Sequence, residues 1–245
     1  MLGGSHSYGL NTPQSDVDYV GIYMNTAVAD IVGIRSGVND NVSRITEEVD
    51  EKYYELRRFL NLLRQGNTQA AEILYSKEYE FCVPEIEHLR KHKRELLDTH
   101  RMFNVLRGYA QGELKLANGE RTGKLGGKRR EALDKFGFSP KNFVQLFRLL
   151  WVGEMFFLNG VYPVKVKEYD EKFHNYLMDV KTNPQSFTKA ELNSIALVLE
   201  KRLVDAFETR DKSKDRAFNE ALANEACLRV YAPLIAYEFL NTLKK

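Results

Sequence analysis

The stretch Gly4-Ser5-His6-Ser7-Tyr8-Gly9-Leu10-Asn11-Thr12-Pro13-Gln14-Ser15-Asp16-Val17-Asp18 decides how this chain is read. It runs into Val17-Asp18-Tyr19-Val20-Gly21-Ile22-Tyr23, a β-favouring segment that suits a strand buried on at least one face. Asp16 and Asp18 are two apart, so on a strand both side chains leave the same face. Two carboxylates so close repel unless a cation lies between them or one is protonated. Hard divalent ions such as Mg²⁺ prefer oxygen ligands of this kind. Gly4-Ser5 follows Leu2-Gly3 at an expected strand end. A glycine there lets backbone approach a phosphate closely, and the Ser5 hydroxyl and nearby N–H groups can donate to it. Residues 11–15 read as the turn that returns the chain to the two acids. Gly-Ser and Asp-x-Asp are each common by chance; their joint occurrence at this spacing points to a metal–phosphate site.

Composition sets the frame around that stretch. The chain has 245 residues, 43% hydrophobic and 29% charged, enough for one large or two small globular domains. It has no run of 18 apolar residues and no basic-then-apolar leader, which argues against a membrane span and a secretory signal. Two cysteines, Cys82 and Cys227, exclude a disulfide scaffold and suit a reducing, cytoplasmic setting. A net charge of +2 is too small to argue for nucleic acid by itself.

From Tyr53 onward the hydrophobic period turns helical. Leu56, Phe59, Leu60 and Leu63 fall at i, i+3, i+4 and i+7, and Gly66-Asn67 ends that helix. Further helices are expected at 70–75, 84–96 (opened by Pro84), 100–116, 141–158 (capped by Ser139-Pro140, stopped by Asn159-Gly160), 188–208 (a Thr188/Glu191 capping box) and 217–243. Residues 115–130, with four glycines and Lys115, Arg121, Lys124, Lys128, Arg129 and Arg130, read as a mobile basic loop; 31–34 is a short ambiguous apolar piece. The expected architecture is α+β: a small mixed-sheet α/β domain over 1–80 and a helical bundle over 81–245.

The pattern of an apolar residue, Gly-Gly/Ser and then Asp-x-Asp about ten residues on resembles the signature of the DNA polymerase β-like nucleotidyltransferase superfamily. More closely, GSHSYGLNTPQSDVDYVGIY is similar to nucleotidyltransferases of bacteria and large phages, some linked with RNA repair. DEKYYELRRFLNLLRQGNTQAAEILYS and PKNFVQLFRLLWVGEMFFLNG resemble later parts of that family. The resemblance spans about residues 1–160 and implies a polymerase β-like palm. It implies that Asp16 and Asp18 bind Mg²⁺ (or Mn²⁺) riding with an NTP, and that Gly4 and Ser5 hold its β,γ-phosphates. It also implies a third carboxylate, which would complete a second metal site and help deprotonate the attacking hydroxyl. Asp50 is the choice for that carboxylate, with Glu48 as runner-up. The activity implied is transfer of an NMP from an NTP to an RNA 3′ end (tRNA included), a protein or a small molecule, with release of pyrophosphate. Two departures, a chain that starts almost at the motif and Gln145 where the family pattern has histidine, leave an alternative: a non-catalytic nucleotide- or RNA-binding relative acting as a phage or bacterial interaction protein.

Other residues carry weaker signals. Lys128, Arg129 and Arg130 could clamp triphosphate or acceptor RNA, or form a solvated loop. Arg148, among apolar neighbours, reads as a phosphate contact or as the partner of Glu154. Tyr8 could stack on a base or fill the core, and Asn67 is read as a helix cap. His88 and His92 have zinc-compatible spacing but no evident third ligand, and read as a solvated face.

Overall fold

The structure, a computed structural model, describes residues 1–32, 41–45, 49–120 and 127–244. The chain divides into two compact units, Met1–Arg101 with Asp215–Lys245 and Met102–Lys214. The described residues form a mixed α+β, mostly helical chain with eleven α-helices and one three-stranded sheet.

The first unit carries the sheet: β1 (Val17–Tyr23), β2 (Asn41–Ile45) and β3 (Val49–Glu55), in the order β1-β3-β2. β3 is parallel to β1 and antiparallel to β2. The strand expected at 17–23 forms at those bounds. The first residues run antiparallel beside it, with Leu2 opposite Tyr19 and the Gly3 N–H donating to the Asp18 carbonyl at 2.8 Å. A four-residue helix, α1 (Gly4–Ser7), follows directly, and α2 (Val28–Val32) lies between β1 and β2. The rest of the ambiguous 31–34 piece lies outside the described residues.

The helical period expected from Tyr53 begins three residues later. Tyr53, Tyr54 and Glu55 belong to β3, and α3 spans Leu56–Arg64. The reason is local. Glu55 has an extended backbone, and its carboxylate accepts the N–H groups of Arg57 and Arg58, so it caps the helix rather than joining it. Leu56, Phe59, Leu60 and Leu63 are all buried, as their spacing requires. α4 (Thr68–Tyr75) is capped by Asn67, which accepts from the Ala70 N–H at 3.0 Å. The single helix expected over 84–96 is two pieces, α5 (Pro84–Lys91) and the 3₁₀ turn Lys93–Leu96, because His92 leaves helical geometry.

The second unit is helical: α6 (Thr99–Ala117, whose first turn lies in the first unit), α7 (Gly127–Phe136), α8 (Pro140–Asn159), α9 (Glu171–Thr182) and α10 (Lys189–Thr209). α8 packs on α9 and α10 and buries Phe143, Leu146, Phe147, Leu150, Trp151 and Phe156. It ends at Gly160, which takes the left-handed conformation at φ 68°. The capping box of Thr188 and Glu191 forms. Ser139 stands at its expected cap position but does not cap: its hydroxyl donates to Asn142 Oδ1 at 2.7 Å.

The basic segment is only partly loop. Lys115 lies in α6, and 127–130 open α7, where the Lys128–Lys135 sequence has good helix propensity despite the glycines before it. Residues 121–126, with Arg121 and Lys124, lie outside the described residues. α11 (Glu220–Thr242) belongs to the first unit, where it packs on α5, α3 and α2.

Candidate active site

The register of the sheet brings the candidate carboxylates toward one place. Asp18 of β1 is paired with Asp50 of β3, so the two side chains leave the same face of the sheet. Asp16 is exposed and stands immediately before β1. Val20 pairs with Lys52, and Ile22 with Tyr54, further along that face. Lys52 is a cation on the carboxylate face that the sequence pattern did not single out; its Nζ lies 5.0 Å from the centroid of the Tyr54 ring. Glu51 and Tyr53 alternate to the opposite face. Glu48, the runner-up for the third acid, lies outside the described residues.

The Gly-Ser segment meets the same place. Gly4 has φ +54°, a conformation costly for a residue with a Cβ. A Cβ built there would lie 2.0 Å from Asp18 Oδ2. The Asp18 carboxylate therefore rests directly against the Gly4 backbone, and the two halves of the sequence motif are one structural unit. Around the turn, the Leu10 N–H donates to the Ser5 carbonyl at 2.9 Å and the Ser7 hydroxyl to the Gly4 carbonyl at 2.9 Å. The Tyr8 hydroxyl donates to Glu72 Oε2 at 2.8 Å, and Glu72 is buried on α4. Glu72 is a site residue that the sequence pattern does not single out. The signal for Glu72 was a carboxylate inside the apolar run Ala70–Tyr75.

The carboxylate chemistry suits a hard divalent ion. Among the described residues no group of three or more His, Cys, Asp and Glu side chains is disposed to hold a metal ion. Mg²⁺ asks for no such protein cage, because it commonly takes one or two carboxylates and completes its shell with water and substrate phosphates.

The other candidates lie in the second unit, apart from His88 and His92 in the first. Arg148 is 1% exposed on α8, and its Nε donates to Gln145 Oε1 at 3.3 Å. Glu154 binds Arg202, at 2.8 and 3.0 Å. Arg129 Nε donates to Asn142 Oδ1 at 3.1 Å, and Asn142 Nδ2 in turn to the buried Glu113 at 2.7 Å. The side chain of Lys128 lies outside the described residues. His88 and His92 have ring centroids 4.9 Å apart, and His92 Nδ1 lies 3.0 Å from Glu95 Oε1.

Comparison with known proteins shows the family. The RlaP family, described as the RNA repair pathway DNA polymerase beta family, matches residues 1–224. The chain belongs to that family. The match takes in the Gly4–Asp18 unit, the whole sheet, the helices through α10 and the first turn of α11. The chain is also 32% identical over 79 residues to an uncharacterized 38.9 kDa protein of the nrdC-mobD intergenic region of Enterobacteria phage T4, covering 30% of this chain and 24% of that protein. It thus spans about a quarter of the length of that curated relative. No solved structure matches. No helix among the described residues is long and apolar enough to cross a membrane.

Proposed function

We propose that this chain is a divalent-metal-dependent nucleotidyltransferase of RNA repair, with a polymerase β-like palm in its first unit. It moves an NMP from an NTP to a hydroxyl, an RNA 3′ end in the first instance, and releases pyrophosphate. The observation that carries the reading is the contact of the Asp18 carboxylate with Gly4, together with the pairing of Asp18 and Asp50.

In this reading Asp16 and Asp18 hold Mg²⁺ or Mn²⁺, which when bound neutralises phosphate charge and orients the triphosphate. Gly4 and Ser5 take the β,γ-phosphates through backbone N–H groups and the Ser5 hydroxyl. Asp50, on the face of Asp18, accepts the proton of the attacking hydroxyl. That oxygen forms a bond to the α-phosphorus as the bond to the β-phosphate oxygen breaks, and pyrophosphate leaves with the electron pair. The protein contributes chiefly position and electrostatics.

The test incubates the chain with each α-labelled NTP, Mg²⁺ and a mixture of RNAs, and follows label transfer and pyrophosphate. The reading expects label on RNA, and its loss in folded Asp16→Ala and Asp18→Ala variants. Nucleotide binding without transfer would support a non-catalytic relative. Absence of nucleotide binding with any divalent ion overturns the proposal.

A further inference from the structure

Helix α1 is four residues long, far too short to hold its shape unaided. Its near side is fixed to β1 by the hydrogen bond from the Gly3 N–H to the Asp18 carbonyl and by the Gly4–Asp18 contact. Its far end closes at Tyr8, the C-cap residue. The Tyr8 hydroxyl reaches across 64 positions of sequence to Glu72 Oε2, at 2.8 Å.

Glu72 is an unusual choice for its position. It is 5% exposed, on a helix whose Ala70, Ala71, Ile73, Leu74 and Tyr75 are also buried. Burying a carboxylate costs free energy that an apolar side chain of similar volume does not. What the carboxylate adds is direction, because a charged acceptor makes a shorter and stronger hydrogen bond to a hydroxyl than a neutral one. That direction is spent on Tyr8, and through Tyr8 on the turn that carries Gly4 and Ser5.

We propose that Glu72, through its hydrogen bond with the Tyr8 hydroxyl, is the positioning residue that holds the Gly4–Ser7 turn in register with Asp18. Tyr8 then serves the site through its hydroxyl rather than by stacking on a base. The kinetic consequence rests on the nucleotidyltransferase reading: with the turn loosened, Gly4 and Ser5 meet the triphosphate less well, and KM for NTP rises while kcat changes little.

Two readouts on the full chain keep this inference separate from that reading. The first is amide hydrogen exchange at Gly9 and Leu10, whose N–H groups bond to the His6 and Ser5 carbonyls. Tyr8→Phe and Glu72→Leu should each speed exchange there about ten-fold and leave that of α8 unchanged, while Glu72→Gln, which keeps an acceptor oxygen but not its charge, should fall between them and the parent. The second is KM for NTP, expected to follow the same order, with Tyr8→Phe/Glu72→Leu no worse than the worse single variant, since the two act through one bond. If Glu72→Leu does not fold, the isosteric pair Tyr8→Phe and Glu72→Gln decides. Exchange unchanged in a folded Tyr8→Phe chain overturns the positioning role even where the enzyme is active. A parent chain that binds no nucleotide overturns the nucleotidyltransferase reading and leaves the exchange result standing.

Discussion

Gly4 and Asp18 occupy one another's space so closely that a methyl group on the first would lie 2.0 Å from Oδ2 of the second. Gly4 also holds φ +54°. Gly4→Ala therefore meets a backbone penalty of about 1–3 kcal/mol and must displace the carboxylate besides. The expected outcome is a lower urea midpoint together with loss of nucleotide binding. Gly108→Ala is the opposite case: Gly108 is exposed inside α6, with nothing within 4 Å of the added Cβ, so stability should rise by about 0.5–1 kcal/mol. Urea titrations of both variants check the two signs.

Strand alternation separates two adjacent acids. Asp50 pairs with Asp18 and shares its face, while Glu51 pairs with Tyr19 on the other. Asp50→Asn should lower the rate of NMP transfer about 100-fold or more, the scale of losing a charge-stabilising group at a reacting centre. Glu51→Gln should change it less than about three-fold, near the background of a surface substitution. Equal effects of the two substitutions in steady-state assays would remove Asp50 from the site.

Much of this arrangement was legible where local signals are strong. The β1 strand, the buried positions of α3 and the capping box of α10 follow from periodicity and cap chemistry that act within a few residues. β3 was hidden because it passes into α3 with no intervening turn, so Tyr53–Glu55 borrowed the helical period of the residues after them. α9 was missed because its polar residues outnumber its buried ones, Leu177 and Val180. Nothing in the periodicity of 217–243 says that α11 belongs with the N-terminal sheet, since that depends on contacts between distant segments, such as the one between Tyr231 and Glu55. The same limit applied to the site. Spacing pairs Asp16 with Asp18, whereas the alignment of Asp18 with Asp50 and the contact of Tyr8 with Glu72 are matters of register and packing.

The link between Tyr231 and Glu55 carries a stability prediction. Glu55 is 1% exposed, and its carboxylate accepts from the Tyr231 hydroxyl, the Arg57 and Arg58 N–H groups and Arg57 Nε. Tyr231→Phe deletes one donor to a buried charge and should cost about 1–3 kcal/mol. In a Glu55→Gln background, where the buried charge is absent, the same substitution should cost less. Chemical denaturation of the four chains gives the coupling, and a coupling of zero would show that the contact adds nothing to folding.

Alkaline pH should weaken the first unit through Cys227. Burial pushes its thiol up to about 11 from 9.0, and the Glu55 carboxylate adds to the shift. A thiol raised in the folded state stays protonated after the unfolded chain has released its proton. The stability it contributes is therefore whole below pH 9 and is lost as pH rises through the folded value of about 11. The buried phenol of Tyr75, pushed up to about 12 from 10.0, acts in the same direction but higher, and so does that of Tyr231, which burial and the Glu55 contact push up further still. By pH 10 the unfolded chain has begun to release phenol protons as well, so comparison with Cys227→Ala, rather than the pH interval, isolates the thiol. Between pH 8 and pH 10 the urea midpoint of the parent should fall, and that of Cys227→Ala should fall less. Parallel decline in the two chains would mean that the Cys227 thiol ionises in the folded chain as readily as in the unfolded one.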